Sequence, residues 1–187
     1  RNMQRRPVLE YALLGLLARQ PMTGYGLRRM FASTPMGVFS DSPGSIYPAL
    51  ARLERDGLVR PAGQSGARAG SRLLEPTRAG LAALRRWLQA EITREDVARR
   101  IKELLLRFAF MDRHLDAVSV DRFLGELARN VSAYVNELRA YARSAAGPPS
   151  STGNLALDHG IATCRATAQW ARHARAVWRK SHGLDVS

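Results

Sequence analysis

The sequence predicts a mostly α-helical protein in two parts, and three observations carry that reading. Apolar residues recur at helical spacing through most of the 187 residues. Proline and glycine crowd the first half, which reads as three short helices, a strand–tip–strand and a fourth helix. The second half reads as three longer helical stretches around one strong break. A boundary near Glu91–Glu95 gives candidate domains 1–92 and 93–187.

The elements follow in order. Val8 to Arg19 carries Val8, Leu9, Ala12, Leu13, Leu14, Leu16 and Leu17, apolar nearly all round, as for a helix buried on several sides. Pro21 ends it. Thr23 can cap a helix from Gly24 to about Ala32, with Leu27, Met30 and Phe31 facing inward. A breaker-rich loop runs from Ser33 to Asp41. Ser42 then suits an N-cap and Pro43 a first helical position, since its missing N–H has no acceptor there. This third helix runs to about Asp56, and Gly57 supplies its stop. Leu58–Val59 and Ser71–Leu74 form a hairpin around a Gly63–Gly70 tip. Thr77 caps a fourth helix with Leu81, Leu84, Trp87 and Leu88 on its apolar side.

In the second half, Arg94 to Met111 places Val97, Ile101, Leu104, Leu105 and Phe108 on one stripe. Val120, Leu124, Leu127, Val131, Tyr134, Leu138 and Tyr141 alternate at spacings of four and three, a coiled-coil-like seam. Pro148–Pro149 breaks it. Asn154 to about His182 carries Leu157, Ile161, Cys164, Ala168, Ala171, Ala174 and Trp178. Two such long amphipathic stretches bury against each other and against a second chain.

Charge sets the direction of the functional reading. The formal net charge is +13, and every base except Lys102 and Lys180 is arginine. Residues 1–90 carry 14 arginines against five acids; the remainder is only weakly basic. Such a balance favours an anionic partner, nucleic acid first. Other classes drop out. Cys164 is the single cysteine, which excludes an internal disulfide framework and a multi-cysteine zinc site. The four histidines make no HExxH and no i, i+4 pair, and no GxxxxGK[ST] or GxGxxG loop occurs, so no enzyme, metal or cofactor is expected. No run approaches the ~18 apolar residues of a membrane span. No apolar signal-peptide core of the usual form follows Arg1–Pro7, so a cytoplasmic location is expected.

Three short helices followed by strand–tip–strand is the order of a winged helix-turn-helix, whose third helix enters the major groove while the hairpin touches the backbone or minor groove. On that helix Ile46, Ala49, Leu50 and Leu53 form the inward stripe. Ser45, Pro48, Arg52 and Arg55 lie opposite, with Tyr47 at the flank. Arg52 has the fork that grips a guanine edge or a phosphate. Arg68 and Arg72 sit among the small residues of the wing.

Four runs resemble the PadR family of bacterial transcriptional regulators: Leu14-Gly15-Leu16-Leu17, Thr23-Gly24-Tyr25-Gly26-Leu27, Ser42-Pro43-Gly44-Ser45-Ile46-Tyr47-Pro48-Ala49-Leu50-Ala51-Arg52-Leu53-Glu54 and Asp56-Gly57-Leu58-Val59. The resemblance covers roughly residues 8–90. It implies a homodimer, paired through C-terminal helices, that binds an inverted repeat of double-stranded DNA, usually as a repressor. A small ligand, often aromatic, releases some members. It points to Thr23, Tyr25, Ser42, Ser45, Tyr47 and Arg52 as contact residues, which the basic wing extends to Arg68 and Arg72. The wing departs from the family pattern at Leu73-Leu74-Glu75-Pro76-Thr77, where Pro76 is expected to shorten the strand. Trp87, Trp170 and Trp178 either line an effector pocket or fill cores. Arg165, Arg172, Arg175 and Arg179 read as a solvated face of the last helix. Two competing functions remain: a charge-driven architectural DNA coat and a helical interaction module.

Overall fold

A computed structural model describes residues 6–40, 43–63, 72–144 and 150–185. The chain divides into two compact units, residues 1–88 and 89–187.

The first unit is built on α1 (Val8–Leu17), which lies against both α3 (Ile46–Arg55) and α4 (Arg78–Leu88). That double packing is why its apolar residues ring the helix: Ala12, Leu13 and Leu14 have no exposed surface. Its one charged residue, Glu10 in the first turn, is also buried. Helix α2 (Gly24–Ser33) starts where Thr23 Oγ1 accepts the Gly26 N–H at 3.0 Å, and it buries Leu27 and Phe31. The Ser33–Asp41 connection contains a 3-10 turn, Pro35–Phe39.

Helix α3 is preceded by a 3-10 turn over Pro43–Ser45, so the regular helix opens at Ile46 rather than at Pro43. Pro48 is then its third residue, where an N–H has no intrahelical acceptor to miss. Its end is a Schellman closure. Gly57 takes φ +69°, its N–H bonds Glu54 C=O, and the Leu58 N–H bonds Leu53 C=O.

The sheet has three strands, β1 (Met22–Thr23), β2 (Val59–Pro61) and β3 (Leu73–Pro76), with β3 in the centre and both neighbours antiparallel. Pro76 does not shorten its strand. The ladder bonds run from Ala62 N–H to Leu73 C=O and from Thr77 N–H to Leu58 C=O. Val59 and Pro76 face each other between them, at the position whose N–H would point away from β2. The missing donor therefore costs this ladder nothing. Thr77 then joins sheet to helix. Its hydroxyl donates to Gly57 C=O at 2.7 Å and accepts the Gly80 N–H at 3.1 Å. Gly80 itself must lack a side chain, since a Cβ there would lie 2.0 Å from Leu58 O. Along α4, Ala83, Leu84, Trp87 and Leu88 are buried, while Leu81, expected inward, is more than a third exposed.

The second unit begins with a Thr93–Asp96 capping box that starts α5 (Arg94–Arg99). The predicted single helix over 94–111 is broken at Arg100, whose φ of −130° leaves the helical region before α6 (Ile101–Met111) begins. Its guanidinium folds back onto Glu95 at 2.7 Å and Asp96 at 3.2 Å. The break re-phases the stripe. Val97, Leu104, Leu106, Phe110 and Met111 are buried, whereas Leu105 is exposed. Arg107 is buried as well, its guanidinium 5.2 Å from the Phe123 ring and bonded to the Ala90 carbonyl.

Helices α7 (Ala117–Arg143) and α8 (Ser151–Ser181) pack along each other in opposite directions, with Trp178 Nε1 donating to Ala117 C=O at 3.0 Å. The heptad seam is buried from Val120 to Val131; beyond it Val135 replaces Tyr134, and Tyr141 is exposed. A straight helix of 3.6 residues per turn drifts off a 3.5 repeat, so the buried stripe slips by one residue. Of the four arginines assigned to a solvated face of α8, two are packed. Arg175 binds Asp121 bidentately at 2.7 and 2.9 Å, and Arg179 reaches the same carboxylate at 3.5 Å. That pairing holds the Asp121 carboxyl below its ordinary titration range. Among the described residues no helix is long and apolar enough to cross a membrane.

Candidate nucleic-acid interface

Helix α3 buries Ile46, Ala49, Leu50 and Leu53 against the rest of the first unit. That stripe fixes which side faces out. Gly44, Tyr47, Pro48, Ala51 and Arg55 are exposed, a face with small residues at the start and a base at the end. Small side chains allow close backbone approach, and the N–H groups of a helix start favour phosphate oxygens.

Tyr47 is half exposed, and its ring covers the start of α2. A Cβ on Gly24 would lie 2.9 Å from Tyr47 Cε1, so the glycine makes room for the tyrosine. Tyr25, one residue on, is 56% exposed, and the Arg28 guanidinium lies 5.8 Å from its ring centre. Across from Tyr47, Arg72 enters from the wing. Its Nη2 is 3.7 Å from Glu54 Oε1, and its Nε is buried without a hydrogen-bond partner among the described residues. Tyr47, Leu50, Glu54 and Arg72 line one cleft of about 100 Å³ between α3 and the sheet. Thr23 is occupied as the α2 cap. Ser45 Oγ lies 2.8 Å from Ser40 Oγ, tying the start of α3 to the preceding loop. Ser42 and Arg68 lie outside the described residues.

Arg52 is placed differently from a freely projecting base reader. Its Nε donates to Glu10 Oε1 at 2.7 Å, while Arg6 Nη1 donates to Glu10 Oε2 at 3.0 Å. Arg6 also reaches Asp56 at the far end of α3, at 2.8 Å. That contact, helped by Arg55, holds the Asp56 carboxyl below its ordinary range. A buried carboxylate on α1 thus holds the C-terminal turn of α3, directly at Arg52 and through Arg6 at Asp56, and the Arg52 side chain remains 40% exposed above it.

Residues 13–86 match the sequence profile of the transcriptional regulator PadR-like family. This segment is a PadR-like domain. The matched stretch runs from within α1 to near the end of α4 and includes the strands on both sides of the wing tip. The chain is also similar to three solved structures. A PadR-like transcriptional regulator from Bacillus cereus is 22% identical, with 92% of this chain and 99% of that one covered and a TM-score of 0.40. Bacillus subtilis PadR in complex with operator DNA is 20% identical, covering 91% and 99%, with a TM-score of 0.42. The same protein in complex with p-coumaric acid is 19% identical, covering 91% and 98%, also at 0.42. No curated protein sequence matches the chain.

Within the first unit, sequence reasoning missed Glu10, Arg6, Asp56 and Arg28. A signal existed for two of them. Glu10 is the lone acid in an otherwise apolar helix, and a buried acid demands a cationic partner. Arg28 follows Tyr25 by one helical turn. The tryptophans serve packing. Trp87 stacks on Tyr11 at 4.7 Å, Trp170 meets Phe108 edge-on at 5.5 Å, and Trp178 stacks on His182 at 3.8 Å. Cys164 is partly buried, and burial raises its thiol above the ordinary range, which disfavours a nucleophilic thiolate.

Proposed function

We propose that the chain is a sequence-specific, homodimeric transcriptional repressor that binds an inverted repeat in double-stranded DNA and is released by a small aromatic ligand. In this reading residues 1–92 read DNA and residues 93–187 pair two chains, presenting two α3 helices to major grooves about one turn, ~34 Å, apart. The observation that carries it is the outward face of α3 in a PadR-like domain, with exposed Tyr47 above Gly24 and Arg72 converging on it from the wing. The proposed contacts are Thr23, Tyr25, Ser42, Ser45, Tyr47, Arg52, Arg68 and Arg72. Thr23 acts through the N-terminus it caps. Arg52 acts through the part of its guanidinium that Glu10 leaves exposed.

The test is competition binding at about 150 mM salt, where diffuse attraction is screened to about 8 Å. Labelled DNA from upstream of the protein's own gene is challenged with unlabelled self or scrambled duplex. Preferential competition by self supports an operator there. Equal competition there and at every other promoter fragment of the genome leaves charge as the whole of the binding, and the specific reading fails.

A further inference from the structure

We propose that the groove between α7 and α8 is a binding site for a small, elongated dianion carrying carboxylate or phosphate groups at its two ends. The site does not depend on the DNA-binding reading. Helix α7 contributes Ser132, Val135, Asn136 and Arg139, and α8 contributes Arg165, Ala168, Gln169 and Arg172. Each set follows the i, i+3, i+4, i+7 pattern, so each is one stripe two turns long, about 10 Å. The helices run in opposite directions, which puts Arg139 and Arg165 at one end and Arg172 with Ser132 at the other. Arg172 Nη1 donates to Ser132 Oγ at 3.1 Å, which fixes that end.

The floor and walls suit a ligand of this kind. Val135 and Ala168 are buried and form an apolar bed for a spacer. Asn136 and Gln169 supply amide donors along it. The groove's volume of about 250 Å³ is just below the range of drug-sized sites, so its occupant is small.

Charge gives the sign of the ligand. Among the described residues no carboxylate lines the groove. Elsewhere in this unit arginines find acids: Arg94 binds Glu137, Arg100 binds Glu95 and Asp96, and Arg175 binds Asp121. Among the described residues, Arg139, Arg165 and Arg172 form no ion pair. Three guanidinium groups share one groove with no counter-charge, and planar forks of this type recognise carboxylate and phosphate bidentately. A ligand with charge at both ends relieves the repulsion at both.

The experiment is calorimetric titration of the full chain at pH 6 with terephthalate in one arm and its phosphonate counterpart, 1,4-phenylenediphosphonate, in the other. Arg165→Gln carries the test, because among the described residues Arg165 has no hydrogen-bond or ion-pair partner whose loss would loosen the fold. Arg172→Gln probes the other end, and Arg113→Gln, an exposed charge in the α6–α7 connection, controls for net charge. One site per chain is expected. Arg165→Gln and Arg172→Gln should each weaken it about tenfold or more, and Arg113→Gln by less than about twofold. The preferred arm tells carboxylate from phosphate. Absence of binding in both arms overturns the site. So does equal weakening by all three substitutions, which would mean diffuse attraction. If the Arg165→Gln, Arg172→Gln double variant binds duplex DNA less well but either dianion unchanged, the groove is a DNA contact and the proposal fails.

Discussion

The Glu10 clamp makes a quantitative prediction. Glu10 is 2% exposed and accepts two charge-assisted hydrogen bonds, from Arg52 at 2.7 Å and Arg6 at 3.0 Å. Such bonds contribute about 1.5–3 kcal/mol each, and stranding a fully buried partner costs about 3–5 kcal/mol. Neither arginine would be fully stranded, since their side chains are 40% and 30% exposed and can turn to water. Glu10→Gln keeps the shape but offers one acceptor where two were used. The expected loss is therefore about 2–3 kcal/mol. In a unit of this size that lowers the midpoint of thermal unfolding by roughly 10–20 °C. Arg52→Gln should cost less, about 1–2 kcal/mol, because the buried carboxylate keeps Arg6. The double variant decides the matter. If residues 10 and 52 act through each other, its loss falls short of the sum of the single losses by about 1 kcal/mol. Urea and thermal unfolding of the four proteins, followed by circular dichroism, supply the cycle. A coupling energy within about 0.3 kcal/mol of zero would refute the clamp. DNA binding adds a separate readout. If Arg52 only holds α3, the two single variants should lose affinity for specific and scrambled duplexes in equal proportion.

Other outcomes follow from the geometry. Gly80→Ala forces a Cβ into Leu58 O, so α4 must shift; a loss of about 2–3 kcal/mol in urea unfolding is expected, and a loss below about 0.5 would contradict the close approach. Thr77→Val removes the α4 cap and the bond to Gly57 C=O, for about 1–2 kcal/mol by the same measurement. Asp121→Asn should cost about 1 kcal/mol at pH 7. Arg175 lowers the folded Asp121 pKa below its unfolded value, near 3.9, so the pair's contribution is complete above that value. It is lost as pH falls through the folded pKa, and the gap between wild type and variant should close on acidification; a gap constant from pH 7 to pH 2 would exclude the pairing. Tyr47→Ala should weaken duplex binding and cost only about 1 kcal/mol in urea unfolding, because the ring is half exposed and covers only the start of α2; unchanged binding would remove it from the interface.

What could be read from the chain depended on how local the cause was. The inward stripe of α3 was legible because Ile46, Ala49, Leu50 and Leu53 repeat at helical spacing, and Gly57 marks its end by a backbone angle few other residues adopt. Thr23 and Thr77 announced their caps three residues ahead of the N–H they accept. The Arg52–Glu10 pair spans 42 residues, and no local pattern encodes which of 27 arginines a buried acid will choose. Strand β1 is two residues long, too short for any alternation to show. The break at Arg100 carries no proline or glycine; it arises where a capped short helix meets a second one, and its side chain turns back to two acids. Pro76 misled because its effect depends on which edge of β3 its nitrogen faces, a matter of register rather than residue type.

The stacking of Trp87 on Tyr11 has a practical consequence. Trp87 is the one tryptophan of the first unit, and it is 5% exposed, whereas Trp170 of the second unit is 37% exposed. A shielded indole emits at shorter wavelength than a wetted one. The chain therefore carries an intrinsic two-colour optical label. The blue side of its emission reports melting of the first unit, and the red side reports events around α8, with no dye attached.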